Sequence, residues 1–285
     1  MRARRRTSLE GLARFCLCAA WLAAPGFGSL SLADPPGESA ATPSKALPLP
    51  GETFLIGGRT AFVILPLAEQ RKSPTPWVWY APTLPGLPDQ NEKWMFERFA
   101  AAGIAVAGID VGESFGSPAG REGFSALYAK LVQKRGFAPK ACLLARSRGG
   151  LMLLGWAVEH PDQVACVAGI YPVCNLRSYP GVARASAAYG LTPAELEAQL
   201  GRHNPIDRLE PLAKAKVPIF LIHGDSDTVV PLQGNSGELA RRYQAFGGTV
   251  RLVVPEGQGH NLWPGFFQCG ELVEFIVQHA EQKAP

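Results

Sequence analysis

Three short runs, far apart along the chain, carry the residue types needed for nucleophilic attack on a carbonyl. Ser147 stands in Ala145-Arg146-Ser147-Arg148-Gly149-Gly150, directly after the apolar run Ala141-Cys142-Leu143-Leu144 and directly before Leu151-Met152-Leu153-Leu154-Gly155-Trp156-Ala157. A serine between a buried strand and a helix, with small residues two positions to either side, reads as a nucleophile elbow. The turn strains the serine backbone, and bulk at either flanking position collides with the strand or the helix. The usual form is G-x-S-x-G; here Ala145 replaces the first glycine and adds one methyl group. A serine hydroxyl is a weak nucleophile at neutral pH, so it needs a base within hydrogen-bond reach and a third group to orient that base. His260, in Gly257-Gln258-Gly259-His260-Asn261, offers the base. The run His223-Gly224-Asp225-Ser226-Asp227-Thr228-Val229-Val230-Pro231 offers two acids, Asp225 and Asp227. Each run follows a strand-like stretch, in the order serine, acid, histidine.

The elbow, the H-G-x-x-D-x-x-V-P-like run and the G-x-G-H run together resemble the α/β-hydrolase superfamily. Within it they are similar to the branch of prolyl-oligopeptidase-type and dienelactone-hydrolase-type catalytic domains. The resemblance covers nearly all of residues 52–285 and implies a triad of Ser147, Asp227 and His260. The acid then falls four residues after His223, with one valine more than the simplest D-x-V-P form, and Asp225 holds the turn through its backbone. His260 takes the serine proton, Asp227 fixes the imidazole tautomer, and a water repeats the cycle on the acyl-enzyme. One oxyanion donor is the amide of Arg148, immediately after the nucleophile. The second is expected from the loop after Trp79-Tyr80, where the family often has His-Gly and this chain has Ala81-Pro82. Proline has no N–H, so Ala81, Thr83 or Tyr80 must supply it.

Other residues near these runs have a structural and a functional reading. Trp263 is a pocket candidate or packs on Phe266 and Phe267. Arg146 and Arg148 flank the nucleophile and either receive a substrate carboxylate or pair with Asp110 or Glu113, pairing being the favoured reading. His203 is a substrate-binding candidate. His223 reads as a structural strand-end histidine, His160 and His279 as surface residues on helices, and Trp77, Trp79 and Trp94 as core. The Gly112-Glu113-Ser114-Phe115-Gly116-Ser117 loop lacks the lysine of a phosphate-binding loop, and no C-x-x-C or His-rich spacing suggests zinc. No cofactor or metal is expected. Cys142 and Cys166 lie in apolar strand-like runs and read as buried small hydrophobes; Cys174 and Cys269 are candidates for a bridge in an exported protein.

The first residues read as an address. Arg2, Arg4, Arg5 and Arg6 precede an apolar stretch from Phe15 to Ala24, and Ser31-Leu32-Ala33 is a small-x-small cleavage site. Residues 1–33 therefore read as a general secretion signal, too short and too interrupted by Pro25 and Gly26 to span a bilayer comfortably. The chain holds 28 Lys+Arg against 24 Asp+Glu. Five arginines and one glutamate belong to the leader, which leaves 23 of each sign. That balance argues against a nucleic-acid partner. The mature protein is expected to be secreted or periplasmic, with no stable membrane insertion after processing. Residues 34–51, rich in proline, serine and alanine, read as a flexible linker.

The elements that must position the serine, acid and imidazole follow from periodicity. Phe54-Leu55-Ile56, Gly57-Gly58 and Thr60–Leu65 predict a β-hairpin with a two-residue turn. Strands are expected at Trp77–Tyr80, Ile104–Val111, 141–144, Val164–Val173, Ile219–His223 and Val250–Val254. They alternate with helices over Asn91–Ala102, Phe124–Lys134, 151–157, Gly237–Phe246 and Glu271–Ala280. The expected fold is α/β, a mostly parallel sheet with an N-terminal antiparallel hairpin and helices on both faces, in one domain over 52–285. The long stretch between the strands near Val173 and Pro218 is expected to hold a short lid at about 175–216. Within it, Thr192-Pro193-Ala194-Glu195 is a capping box.

The expected activity is that of an exported serine hydrolase acting on a small-molecule or polysaccharide-linked carboxylic ester. A prolyl-oligopeptidase-like peptidase is the alternative; such enzymes normally carry a large gating domain upstream, and here a short linker follows the leader. A non-catalytic hydrolase-like binding protein is the second alternative.

Overall fold

A computed structural model of the chain describes residues 44–281. The secretion signal at 1–33 and residues 34–43 of the expected linker lie outside the described residues. The strands are β1 (Glu52–Ile56), β2 (Arg59–Ile64), β3 (Trp77–Tyr80), β4 (Ala105–Ile109), β5 (Ala141–Arg146), β6 (Val164–Ile170), β7 (Ile219–Ile222) and β8 (Val250–Val253). They form one sheet in the order β1-β2-β4-β3-β5-β6-β7-β8. Gly57 and Gly58, at φ 55° and 76°, close the first hairpin in the left-handed conformation that a two-residue turn requires. The pairs β1–β2 and β2–β4 are antiparallel, and the pairs from β4–β3 through β7–β8 are parallel. The sheet is thus the expected one.

The main helices are α1 (Lys93–Ala101), α2 (Pro118–Tyr128), α3 (Gly149–Ala157), α4 (Pro193–Ala198), α5 (Ser236–Ala245) and α6 (Gly270–Ala280). Successive strand residues point to opposite faces, and both faces are covered. Trp77, Trp79, Leu143, Val167 and Leu221 share one apolar layer with Phe124 of α2, Met152 and Leu153 of α3, and Leu239 and Tyr243 of α5. Val78, Tyr80, Leu144, Ala168 and Ile222 share the other with Phe96 and Phe99 of α1 and Leu272 and Ile276 of α6. Burial on two faces is why these strands read as continuous apolar runs.

The structure corrects four expectations. Helix α2 starts at Pro118, with the Ser117 hydroxyl accepting from the Gly120 amide at 3.4 Å. Gly120 and Gly123 hide this first turn from periodicity, but Cβ atoms there would lie 2.5 Å from Ser114 Oγ and 2.8 Å from Val111 Cγ1. Strand β6 ends at Ile170, because Tyr171 turns to φ 35°. Cys174 and Cys269 are both free: Cys174 belongs to one apolar layer, Cys269 packs on the other, and the sheet separates them. Residues 44–51 are not a loose linker. Leu47 and Leu49 pack on the α1–α6 layer, an apolar pair that the proline-rich composition concealed.

Between β6 and β7, the Thr192 hydroxyl and Glu195 carboxylate make the capping box that opens α4. Leu176, Ala185, Leu196 and Leu200 of this insertion form a small core with Phe115, Leu151, Val173 and Val230. Phe115, Val173 and Val230 follow β4, β6 and β7, so the insertion is seated beside the C-terminal edge of the sheet. Among the described residues, no helix is long and apolar enough to cross a membrane.

Candidate active site

Ser147 follows β5 at φ 49°, a region that costs a non-glycine residue about 1–3 kcal/mol. The surroundings hold it there. Its N–H donates to the Ile170 carbonyl at 3.0 Å, and its carbonyl accepts from the amides of Gly150 (2.9 Å) and Val173 (2.8 Å). The small residues beyond the serine are required sterically. A Cβ at Gly150 would lie 2.4 Å from the Val173 carbonyl oxygen, and one at Gly149 would lie 3.2 Å from that of Ala81. Ala145, in place of the usual glycine, faces Gly169 of β6 in register.

The structure brings Ser147, His260 and Asp227 into one hydrogen-bonded chain. Ser147 Oγ is 2.9 Å from His260 Nε2, and His260 Nδ1 is 2.7 Å from Asp227 Oδ2. A carboxylate only accepts, so Nδ1 carries the proton and Nε2 is left to accept from the serine hydroxyl. The other carboxylate oxygen, Oδ1, accepts from the amides of Val229 (2.9 Å) and Val230 (2.8 Å). Burial opposes the charge on Asp227, yet the bonds from His223, His260 and Val230 hold its carboxyl far below the usual carboxylate range.

Asp225, the other acid, serves the loops. Its Oδ1 accepts from Gly257 N at 2.8 Å, while Ser226 N donates to the Gln258 carbonyl at 3.0 Å. At Gly224 a Cβ would lie 2.0 Å from the Gln258 oxygen. The loops carrying Asp227 and His260 are therefore in direct backbone contact.

Two residues of the site carry more than their sequence reading. His223 is fully buried, with Nε2 2.8 Å from the Val230 carbonyl and 3.2 Å from Asp227 Oδ2. Because the carbonyl only accepts, Nε2 bears a proton, and Nδ1 takes the Ser236 hydroxyl at 2.8 Å. Tyr171 places its ring 4.3 Å from that of His260 and stands edge-on to Phe266 at 5.0 Å. It forms a wall behind the imidazole, and burial pushes its phenol up to about 12. An aromatic residue at the end of a buried strand was its only sequence signal.

The expected oxyanion donors border the elbow. Arg148 immediately precedes α3, where the first amides have no intrahelical acceptor. Ala81 and Thr83 are buried, and the loop that holds them abuts Gly149. The arginine side chains are engaged. Arg148 pairs with Glu113, as expected. Arg146 pairs with Glu92 at 2.7 Å and Asp89 at 3.4 Å, not with Asp110 or Glu113. Alternation along β5 puts Arg146 on the α1 face, where Glu92 also accepts the Tyr80 hydroxyl at 2.9 Å. Each guanidinium already has a carboxylate, which argues against a substrate carboxylate there.

Trp263 is 38% exposed and stands edge-on to Phe266 at 5.3 Å, at the rim near Tyr171 and His260. His203 is elsewhere. Its ring meets Tyr189 at 5.1 Å, and the charges facing it are Arg121, Arg202, Arg208 and Glu159, on the flank of α2 and α3. The expectation that it touches substrate is not supported, because the insertion folds it against those helices rather than over Ser147.

In chemical terms, an oriented imidazole beside a strained, exposed-edge serine can relay a proton during acyl transfer. Comparison with known proteins gives this arrangement a lineage. No curated protein matches the chain. Among solved structures, a puromycin-hydrolyzing peptidase of Mycobacterium tuberculosis superposes with a TM-score of 0.62 at 18% identity, over 79% of this chain and 38% of its own. An S-formylglutathione hydrolase from Agrobacterium tumefaciens gives 0.62 at 17% identity, over 78% and 89%. Est1E from Butyrivibrio proteoclasticus gives 0.62 at 17% identity, over 81% and 99%. The chain thus spans well under half of the peptidase and most of the other two. The model of the prolyl oligopeptidase family matches residues 125–283. That match runs from within α2 past the last helix and takes in all three loops that meet at Ser147; this chain belongs to the prolyl oligopeptidase family.

Proposed function

We propose that this protein is exported and hydrolyses carboxylic esters through an acyl-enzyme on Ser147. The carrying observation is the pair of contacts at 2.9 Å and 2.7 Å that link the serine hydroxyl, the imidazole and the carboxylate. As Oγ bonds to the ester carbon, its proton passes to His260 Nε2. The tetrahedral oxyanion is stabilised by backbone amides, Arg148 and one from the loop of Ala81 and Thr83, at about 3–4 kcal/mol each. Collapse breaks the bond to the alcohol, which leaves with the proton from His260. Water then attacks the acyl group, giving its proton to His260, and the acid departs as Ser147 recovers its own.

Two observations favour an ester. The S-formylglutathione hydrolase, named for a thioester, superposes over 89% of its own length. Near the elbow, Glu113, Glu92 and Asp89 are paired with arginines, so they do not offer a free carboxylate to a peptide amine. The insertion at 175–216 serves as a lid beside the cleft, Trp263 meets substrate at the rim, and small or polysaccharide-linked esters are the substrate class. Export rests on the basic, apolar and small-residue pattern of residues 1–33.

Peptide hydrolysis is the second reading, favoured by the family model and by the peptidase among the structural neighbours. A fluorophosphonate probe tests the mechanism: capture at Ser147 in the wild type and its loss in Ser147→Ala are expected. Failure of the folded wild type to be captured would mark a binding protein instead. Turnover of nitrophenyl acetate, butyrate and feruloyl esters, set against a proline nitroanilide, then separates esterase from peptidase.

A further inference from the structure

Lys45 lies in the stretch that composition alone assigns to a linker, yet its side chain is 3% exposed. Its ammonium group donates to Asp110 Oδ1 at 2.8 Å, Asp110 Oδ2 at 2.9 Å and the Pro85 carbonyl at 3.0 Å. A lysine ammonium has three protons, and these acceptors take all of them. Burying such a charge is costly unless it is fully partnered, so the contact is specific. The backbone behind it is anchored by Leu47 and Leu49. The acceptors lie on different loops at the edge where Ser147 opens. Asp110 directly follows β4, and Pro85 is in the loop that follows β3.

That second loop, Ala81-Pro82-Thr83-Leu84-Pro85-Gly86-Leu87-Pro88, is packed at its ends, where Ala81 and Leu87 join the two apolar layers, but its exposed middle, Leu84-Pro85-Gly86, has few hydrogen bonds to hold it. Pro82, Pro85 and Pro88 have no N–H to donate. Among the described residues, its one backbone bond outside regular structure is Leu87 N to the Leu84 carbonyl, at 3.0 Å. Yet the loop must stay in place, because it abuts Gly149 beside the nucleophile and supplies the second oxyanion amide in the reaction proposed above. An oxyanion donor acts only if it is already aimed when charge develops.

We infer that Lys45 is a positioning residue for the reaction: it clamps the loop after β3 to Asp110 and so aims that loop's amide at the oxyanion. The inference rests on the ester-hydrolase reading.

The test uses the full chain with Lys45→Met, Lys45→Arg, Asp110→Asn and the double variant Lys45→Met with Asp110→Asn. It measures kcat and KM on a nitrophenyl ester, inhibition by an alkyl boronic acid that mimics the tetrahedral adduct, and the thermal midpoint. Lys45→Met is expected to lower kcat about tenfold or more with KM within about threefold. Boronate affinity should fall in proportion to kcat/KM, Lys45→Arg should recover part of the loss, and the loss from Asp110→Asn should not add to that of Lys45→Met. A folded Lys45→Met protein with wild-type kcat and boronate affinity overturns the inference, as does a lowered thermal midpoint with kcat unchanged. If Lys45→Met fails to fold, Lys45→Arg and Asp110→Asn decide the matter by the same kcat and boronate readouts. A wild type that neither reacts with the fluorophosphonate nor hydrolyses any ester counts against the hydrolase reading instead.

Discussion

His223 Nε2 and Asp227 Oδ2 lie 3.2 Å apart with neither side chain exposed, so the carboxylate that orients His260 is itself held by a second imidazole. A hydrogen bond to a charged group is worth about 1.5–3 kcal/mol. His223→Asn is therefore expected to lower kcat by roughly 10–100-fold, with fluorophosphonate capture slowed in parallel. The pH dependence has a definite sign. The native Asp227 carboxyl titrates far below its unfolded value of about 3.9. Its stabilisation is full above that value and is lost as pH falls toward the native one. Removing a donor raises the native value, so wild type and variant should differ in urea midpoint by a constant amount at neutral pH and converge only in stronger acid, as pH falls through the variant's raised native value. A difference that widens in acid would contradict the assignment.

The two aspartates of the acid loop should separate cleanly. Asp227→Asn removes the acceptor that fixes the His260 tautomer and is expected to cost about 10⁴-fold in kcat. Asp225→Asn should stay within about tenfold, because Asp225 faces Gly257 N rather than the imidazole. Steady-state kinetics on one ester checks both. Equal losses would mean that the acid has been misassigned.

Glu92 is 1% exposed and bonds both Arg146 and the Tyr80 hydroxyl. Glu92→Ala leaves Arg146, whose side chain is 13% exposed, with only its longer contact to Asp89 at 3.4 Å, and breaking a buried pair typically costs about 3–5 kcal/mol. Urea unfolding should show a destabilisation of that order. A loss under about 1 kcal/mol would mean that water reaches the pair freely.

Gly150→Ala puts a methyl group 2.4 Å from the Val173 carbonyl oxygen. Relief requires backbone movement at the elbow, and overpacking of this kind costs about 1–3 kcal/mol. Calorimetry should record a lowered midpoint, and fluorophosphonate capture should slow because Gly150 N also bonds the Ser147 carbonyl. A wild-type midpoint with undiminished capture would show that the turn is looser than its contacts imply.

Much of this arrangement was legible in the sequence, because the central strands are buried on both faces and each reactive residue follows a strand. The hairpin glycines, the elbow and the Thr192 capping box are local signals, and local geometry answered to them. What stayed hidden is non-local. Nothing near Lys45 points to Asp110, and alternation along β5, not proximity to Glu113, decides that Arg146 meets Glu92. Gly120 and Gly123 masked the first turn of α2, since helix propensity ignores the neighbours that leave room only for glycine. His203 looked available because a histidine in an insertion reads as exposed, yet the insertion folds it onto Tyr189.

The reactive hydroxyl and its base are separated by 113 positions, and the base arrives only with the last loop of the sheet. A nascent chain therefore carries its serine through the next 113 residues with no imidazole to activate it. In a refolding experiment, regained turnover is therefore expected to report that the loop after β8 has reached Ser147, not merely that the earlier strands have collapsed.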